Sequence, residues 1–203
     1  MSAVVLDIAG RRVGDGQPCF IVAEAGVNHN GRLELARQLI EAARDAGADA
    51  VKFQTYRTEQ LVAPDAPKAA YQRLGADRAE SQFDMLKRLE MSPEMHRDLM
   101  EHARACGILF LSAAFDMQSA ELLDSLGVPA HKIPSGEITN LPLVRRTART
   151  GKPMIVSTGM HDTGGLRPTV DLSRSHRVPF ALLHCTSVYP TPPSLVRLGA
   201  LAE

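Results

Sequence analysis

The sequence predicts a parallel α/β fold of the (β/α)8 TIM-barrel type, truncated after about six βα units. Short β-rich apolar runs alternate with amphipathic helical stretches along the 203 residues. The apolar runs are nearly continuous, as expected for parallel strands that are covered on both faces. Each run also ends in polar residues. Loops after every strand converge on one site in a barrel, whereas a doubly wound sheet concentrates its site at one switch point. The polar strand ends therefore favour the barrel.

Six strand–helix pairs follow one another in the sequence. The predicted strands, in order, are PCFIVAEAGVN, ADAVKFQT, ILFLSAAF, AHKIPSG, KPMIVSTG and PFALLHCTS. Ser92 and Pro93 have the residue types expected at a helix N-cap and first helical position. Glycines lie where the helices should end, at positions 47, 107, 127 and 151.

The remaining segments fit around this pattern. Residues 1–17 predict an N-terminal β-hairpin extension and residues 18–203 a partial TIM-barrel domain, since a complete barrel typically needs eight strands and about 250 residues. Residues 56–82 form a long polar excursion after the second strand, as βα loops that cover a site often do.

The fifth helix is predicted within HDTGGLRPTVDLSRSHRVP. There, Gly and Pro reduce helix stability by roughly 1 and 3 kcal/mol each. We therefore expect that helix to be short or frayed.

Composition excludes several classes of function. Hydrophobic residues make up 44% of the chain, and 23 basic residues balance 23 acidic ones, which argues against a nucleic-acid or membrane-surface protein. Cys19, Cys106 and Cys185 are widely spaced, so a disulfide framework or zinc site is not expected. No apolar run is long enough to span a membrane, and the N-terminus lacks the order of a signal peptide. These observations predict a cytoplasmic location.

Two lysines and two serines at the strand ends predict an anion-binding site. A single strand lysine usually extends its ammonium group to the rim of the sheet. Lys52 and Lys132 lie on different strands, however, and two partly buried ammonium groups repel each other unless an anion lies between them. Ser135 and Ser157 each neighbour a glycine, which adds hydroxyl donors with close backbone access, suited to a phosphate or carboxylate.

Other polar residues allow two interpretations each. Glu24 and Glu137, at the ends of strands one and four, could position a substrate hydroxyl or transfer a proton, or could form a salt bridge to a strand lysine. His184 is more typical of a hydrogen-bonded core residue than of a ligand. His29 fits a turn entering the first helix, with Asn30 or a neighbour capping that helix.

Five motifs in order resemble the sialic acid synthase family, N-acetylneuraminate synthase and its relatives. They are FIVAEAGVNHNG, GADAVKFQT, KIPSGEITNLPL, VSTGM and LLHCTSVYPTPP. The resemblance implies condensation of phosphoenolpyruvate with a 2-acetamido sugar aldehyde, giving a nonulosonic acid and phosphate. It assigns catalytic roles to Glu24, Lys52, Lys132 and Glu137, and substrate binding to Gln54, Ser112, Ser135, Ser157, Ser187 and Tyr189.

The resemblance also carries expectations about cofactors and partners. It implies a divalent metal, Mn2+ or Mg2+, that polarises the aldehyde, and a homodimer. The family's two metal-binding histidines lie on strands seven and eight, beyond the end of this chain, so no metal ligand maps onto the sequence. Ala113 and Ala114 replace the Thr-Pro that commonly follows Ser112 in the family, which removes one hydroxyl. We therefore expect little or no synthase activity from these 203 residues alone.

The acceptor and the reaction class stay open at this point. The acceptor could be N-acetylmannosamine, its 6-phosphate, or a sugar that leads to legionaminic or pseudaminic acid. A class I aldolase-like barrel would instead use Lys52 or Lys132 to form a Schiff base. A non-catalytic remnant is the third interpretation, since an open barrel leaves unpaired strand edges.

Overall fold

The structure is a computed structural model that describes residues 5–68 and 80–201. Its strands and helices, in chain order, are β1 (Val5–Ile8), β2 (Arg11–Gly14), β3 (Val22–Gly26), α1 (Leu33–Asp45), β4 (Ala50–Thr55), α2 (Thr58–Leu61), α3 (Gln82–Leu89), α4 (Pro93–Cys106), β5 (Leu109–Ala114), α5 (Met117–Ser125), β6 (His131–Ile133), α6 (Leu141–Ala148), β7 (Met154–Ser157), α7 (Thr163–Ser175) and β8 (Phe180–Leu183). A short 3-10 turn, Ser135–Glu137, lies between β6 and α6. Two more, Pro193–Leu195 and Leu198–Leu201, follow β8.

The chain divides into two compact units. The first unit, Gly16–Pro129, contains β3 to β5 with their helices. The second contains the β1–β2 hairpin together with the chain from Ala130 onward. Each unit is a layer of parallel strands in chain order with helices packed against it, apart from the antiparallel hairpin.

The core of the first unit lies between the strands and helices α1 and α4. Phe53 of β4 stacks on Phe110 of β5, with ring centroids 5.5 Å apart. Ile40 of α1 and Leu99 of α4 are fully buried, and the two helices pack side by side. Covering the strands with helices in this way explains the continuous apolar runs in the sequence.

Helix boundaries in the first unit follow the capping residues. The Ser92 hydroxyl accepts a hydrogen bond from the Met95 N–H, with Pro93 at the first helical position. Helix α4 ends at Gly107, whose φ of 74° lies in the left-handed region that glycine adopts most easily. The prediction that Asn30 or a neighbour caps α1 is wrong, however. Its N-cap is Arg32, without a side-chain cap, while Asn30 lies in the preceding turn with a positive φ.

The excursion after β4 is held at its base by a buried carboxylate. Glu90 accepts hydrogen bonds from the Thr58 N–H and hydroxyl and from the side chains of Arg57 and Lys87. Burial alone would raise the pKa of Glu90, but these donors hold it below its ordinary value. Helices α2 and α3 are thereby tied to β4. The tip of the predicted excursion, residues 69–79, lies outside the described residues.

The second unit has its core between β6, β7 and helices α6 and α7. The fully buried Ile133, Ile138, Val144, Met154 and Val156 form one cluster, and the partly buried Leu166, Leu172 and Phe180 pack against it. Strand β7 pairs in parallel with both neighbours in this unit, Ile155 lying opposite Lys132 on one side and Ala181 on the other.

Helix α7 contradicts the expectation of a short or frayed helix, since it runs for 13 residues. The Asp162 carboxylate caps its N-terminus by accepting from the Gly165 N–H at 2.8 Å. The Thr169 hydroxyl donates to the Ile138 carbonyl, and Leu172 packs on the core cluster. The cap and this tertiary packing outweigh the intrinsic cost of Gly and Pro, a common outcome for amphipathic helices.

Within the described residues, no helix is both long and apolar enough to cross a membrane.

A buried polar chain links β4, β5 and α4. His96 Nδ1 lies 2.8 Å from the Ser92 carbonyl, which can only accept, so Nδ1 carries the proton. Nε2 therefore accepts from the Thr55 hydroxyl at 2.8 Å, and the Ser112 hydroxyl in turn donates to Thr55 at 2.7 Å. The nearby His29 is also fully buried. Its Nδ1 accepts from the Gly31 N–H, while Nε2 has no hydrogen-bond partner in the described structure.

We predict that the free energy of unfolding falls in mild acid because of these two histidines. Burial lowers the pKa of His96 and of His29, and for His29 the nearby His96 adds to the effect. The unfolded chain takes up the protons as the pH drops through about 6.5. The folded chain resists them to lower pH, so stability is full above that pH and decreases below it. Urea unfolding at pH 7.5 and 5.5 measures the difference.

Replacing one of the histidines separates this effect from general acid sensitivity. His96→Asn should cost about 1–3 kcal/mol at pH 7.5, because it disturbs the partner of the buried Thr55 hydroxyl, and it should reduce the loss between the two pH values. His176→Asn, on the more accessible end of α7, serves as the control and should retain the loss. An unchanged pH dependence in His96→Asn would contradict the explanation.

Candidate functional site

Three polar side chains converge at the ends of β3 and β4. Glu24 and Lys52 are register partners in the parallel pair, and the Lys52 ammonium forms an ion pair with the Glu24 carboxylate. The Lys52 side chain is only 12% exposed, whereas Glu24 is 52% exposed. The salt-bridge interpretation of Glu24 is therefore the arrangement found here. The pair presents a carboxylate acceptor and an ammonium donor side by side at one strand end.

Gly26 makes room for this group. It has a φ of 54°, and a Cβ at this position would lie 3.2 Å from Glu24 Oε1 and 3.6 Å from Gln54 Nε2. The β3–β4 register also shifts between Glu24 and Gly26, as β-bulges do when they redirect a side chain. Glu24, Lys52 and Gln54, predicted from sequence on two strands, thus lie together in the first unit.

Two hydroxyls and a glycine form a second group, which we call the serine–glycine cluster: Ser135, Gly159 and Ser187. The Gly159 N–H donates to Ser135 Oγ at 3.0 Å. A Cβ on Gly159 would lie 2.9 Å from Ser135 Oγ and even closer to Ser187 Oγ, which real Cβ atoms do not tolerate. Only glycine therefore allows both hydroxyls to approach the backbone here. Closely spaced hydroxyl donors are suited to bind phosphate or carboxylate oxygens.

The other predicted residues of the second unit lie on the same strands and turns. Lys132 on β6 is 8% exposed and Ser157 at the end of β7 is 6% exposed, so both belong to the buried layer. Glu137 accepts from the Asn140 side-chain amide at 2.7 Å, and Asn140 also caps α6. Tyr189 is 72% exposed.

A cavity of about 780 Å³ opens beside the serine–glycine cluster, within the second unit. The β7–α7 loop, the chain after β8 and the last 3-10 turns form its walls. Among its lining residues are Thr158, His161, His184, Cys185, Ser187 and Arg197. His184 was expected to be a hydrogen-bonded core residue. Its buried Nε2 atom instead has no partner within residues 5–68 and 80–201.

Ser112 differs from the other predicted site residues. Its hydroxyl is 2.7 Å from Thr55 in the polar chain that leads to His96, so it points toward helix α4, on the helix-covered face of the strand. Its role as a substrate contact stays a prediction.

Sequence reasoning missed His161, because a lone histidine in a Gly-rich loop has no distinguishing pattern.

The described residues do not form a metal site of the kind that the resemblance implies. No group of three or more His, Cys, Asp or Glu side chains in the described parts of the chain could hold a metal ion. We therefore assign no chemical step to a metal in this chain.

Parallel strand–helix units with polar groups at the strand ends are typical of barrel-type proteins. The chain belongs to the NeuB family, whose model matches residues 39–203.

Relatives and solved structures agree with this assignment. The N,N'-diacetyllegionaminic acid synthase of Legionella pneumophila is 47% identical over 93% of this chain and 54% of its own. The human N-acetylneuraminate-9-phosphate synthase is 34% identical over 96% of this chain and 54% of its own. A crystal structure of N-acetylneuraminic acid synthetase from Leptospira borgpetersenii, in complex with citrate, has a TM-score of 0.86 and 31% identity, covering 98% of this chain and 65% of that one.

These comparisons confirm two predictions from the sequence: the sialic acid synthase family, and the barrel-type fold with an N-terminal hairpin. The chain spans about half the length of the curated relatives it matches. The division at residue 17 and the roles of the individual site residues stay predictions.

We predict that Gly159→Ala destabilises the second unit by about 1–3 kcal/mol, because the added methyl group overpacks the serine–glycine cluster. Gly136→Ala, in the turn beside Ser135, is the matched control, since a Cβ there meets no atom within 4 Å. Urea unfolding of both variants measures the difference. Equal stability of the two variants would show that the cluster is not close-packed.

Proposed function

We propose that this chain takes part in the condensation of phosphoenolpyruvate with an N-acetylated amino sugar, giving a nonulosonic acid and inorganic phosphate. Membership of the NeuB family supports the reaction class. The observation that carries the proposal to this chain is the serine–glycine cluster, in which the Gly159 N–H holds the Ser135 hydroxyl and Ser187 lines the adjacent cavity.

The predicted hydroxyl and lysine side chains are proposed to contact the anionic groups of phosphoenolpyruvate. Ser135, Ser157 and Ser187 would supply hydroxyl donors, and Lys52 and Lys132 would supply positive charge. Because phosphoenolpyruvate carries both a phosphate and a carboxylate, it can use several donors and more than one cation. Fixed donors of this kind also stabilise the charge that moves to the leaving phosphate, usually the largest contribution to catalysis.

The remaining predicted residues are proposed to handle the acceptor sugar and the reacting carbons. In the reaction, C3 of phosphoenolpyruvate forms a bond to the aldehyde carbon of the open-chain sugar. Water adds to C2, and the C–O bond to phosphate then breaks, leaving a 2-keto acid. Glu24 lies beside Lys52 and is suited to accept or return a proton. Gln54, Glu137 and Tyr189 are proposed to contact the sugar.

The relatives favour one class of acceptor over the others. The legionaminic acid synthases of Legionella pneumophila and Campylobacter jejuni are 47% and 45% identical to this chain, against 34% for the human N-acetylneuraminate-9-phosphate synthase. We therefore propose a diacetamido sugar of the legionaminic acid series as acceptor, ahead of N-acetylmannosamine. We also propose a cytoplasmic location and a homodimer, as the resemblance implies.

Phosphate release tests the reaction together with the contribution of the part of the relatives that this chain does not cover. We expect little or no release from phosphoenolpyruvate by the 203 residues alone, with Mn2+ and any of the acceptors. A fusion of this chain to the remaining part of the Legionella pneumophila relative should release phosphate, fastest with the legionaminic acid precursor. A fusion that is folded by circular dichroism and silent with every acceptor would contradict the proposal.

Borohydride trapping tests the Schiff-base alternative. A Schiff base requires a free lysine amine, whereas the Lys52 side chain forms an ion pair with the Glu24 carboxylate. We therefore expect no mass increase on Lys52 or Lys132 when the fusion is treated with pyruvate and borohydride. A pyruvyl adduct on either lysine would instead identify an aldolase-type reaction. Lys52→Met in the fusion is the control for adducts formed elsewhere.

A further inference from the structure

The loop after β7 holds Ser135 at two points. The Gly159 N–H donates to the Ser135 hydroxyl at 3.0 Å, and His161 Nε2 lies 3.0 Å from the Ser135 carbonyl oxygen. A carbonyl oxygen can only accept, so Nε2 carries the proton and is the donor. Backbone and side chain of the same serine are therefore fixed by residues two positions apart.

The first of these bonds determines what the Ser135 hydroxyl can still do. Its oxygen accepts from Gly159, and its own proton has no acceptor within the described structure. A hydroxyl held in this way keeps its donor available for an added anion. The orientation of that donor depends on the position of the Ser135 backbone, to which the second bond is made.

The His161 ring is itself held in place on its other side. A Cβ on Gly165 would lie 3.2 Å from His161 Nδ1 and 3.5 Å from its Cβ, so the ring lies against the first turn of α7. That turn is fixed by the Asp162 cap on the Gly165 N–H. His161 also lines the cavity beside the serine–glycine cluster. The ring thus connects the start of α7 to Ser135.

We propose that His161 is a positioning residue: through the Ser135 carbonyl, it fixes the serine so that the hydroxyl proton is presented to the anionic group of the substrate. This inference rests on the proposed function, because it takes the serine–glycine cluster as the binding site for phosphoenolpyruvate.

Titration with phosphoenolpyruvate, followed by the 15N–1H signals of the 203-residue chain, tests the proposal. His161→Ala should weaken binding about fivefold, the effect expected for one lost hydrogen bond. His161→Gln should recover most of the affinity, because its amide N–H can donate to the same carbonyl. His176→Ala is the matched control: its Nδ1 also lies 3.0 Å from a carbonyl oxygen, that of Leu172 within its own helix, and binding should not change.

A double-mutant cycle separates positioning from a general structural role. If His161 acts through Ser135, the double variant His161→Ala with Ser135→Ala should bind no more weakly than Ser135→Ala alone. Fully additive losses, or unchanged binding by His161→Ala, would overturn the proposal.

Hydrogen exchange of the Gly159 amide provides a readout that does not depend on the ligand. The Gly159 N–H should be protected in the wild-type chain and in His161→Gln, and should exchange faster in His161→Ala. If the wild-type chain shows no response to phosphoenolpyruvate, the serine–glycine cluster of this chain does not bind it, and the exchange rate alone decides the role of His161. Phosphate release from the fusion decides the proposed reaction separately. Unchanged protection in His161→Ala would then overturn that role.

Discussion

Lys52 can lie almost buried in a strand because the Glu24 carboxylate is held next to it on the neighbouring strand. An isolated buried ammonium group would be too costly to desolvate, so the β3–β4 register is tied to this ion pair. A slip by one residue would turn both side chains to the other face. The register shift before Gly26 and the absence of a Cβ there complete the arrangement. Sheet pairing and the position of the polar groups in the candidate site are therefore set by the same few residues.

The serine–glycine cluster places polar groups at the strand ends without using charged side chains. Its Gly159 is buried, Ser135 is partly buried and Ser187 is exposed, so no charge has to be removed from water there. Strand β7 and the loop after it, which carries Gly159, are fixed by the hydrophobic core cluster of the second unit and by the capped helix α7. Rigid support of this kind is what a binding site for a small anion needs, since catalysis depends on donors that are in position before the substrate arrives.

The sequence was sufficient for features that depend on local pattern. Strands were predictable from apolar runs, and helix ends such as Gly107 from residues with special backbone preferences. Features set by tertiary contacts were not. Helix α7 persists because packing and the Asp162 cap outweigh propensity. The direction of Ser112 depends on its hydrogen bond to Thr55, and His161 became notable only through its distance to Ser135.

The different surroundings of two nearby glycines bear on how the site could be redesigned. Gly136 has open space around its Cα, whereas Gly159 is enclosed by two hydroxyls. A mutagenesis library directed at the proposed anion-binding site should therefore sample side chains at 136 and leave 159 constant. New groups introduced at 136 would enter beside Ser135 without displacing it, so selectivity could be altered while the donors of the cluster remain intact.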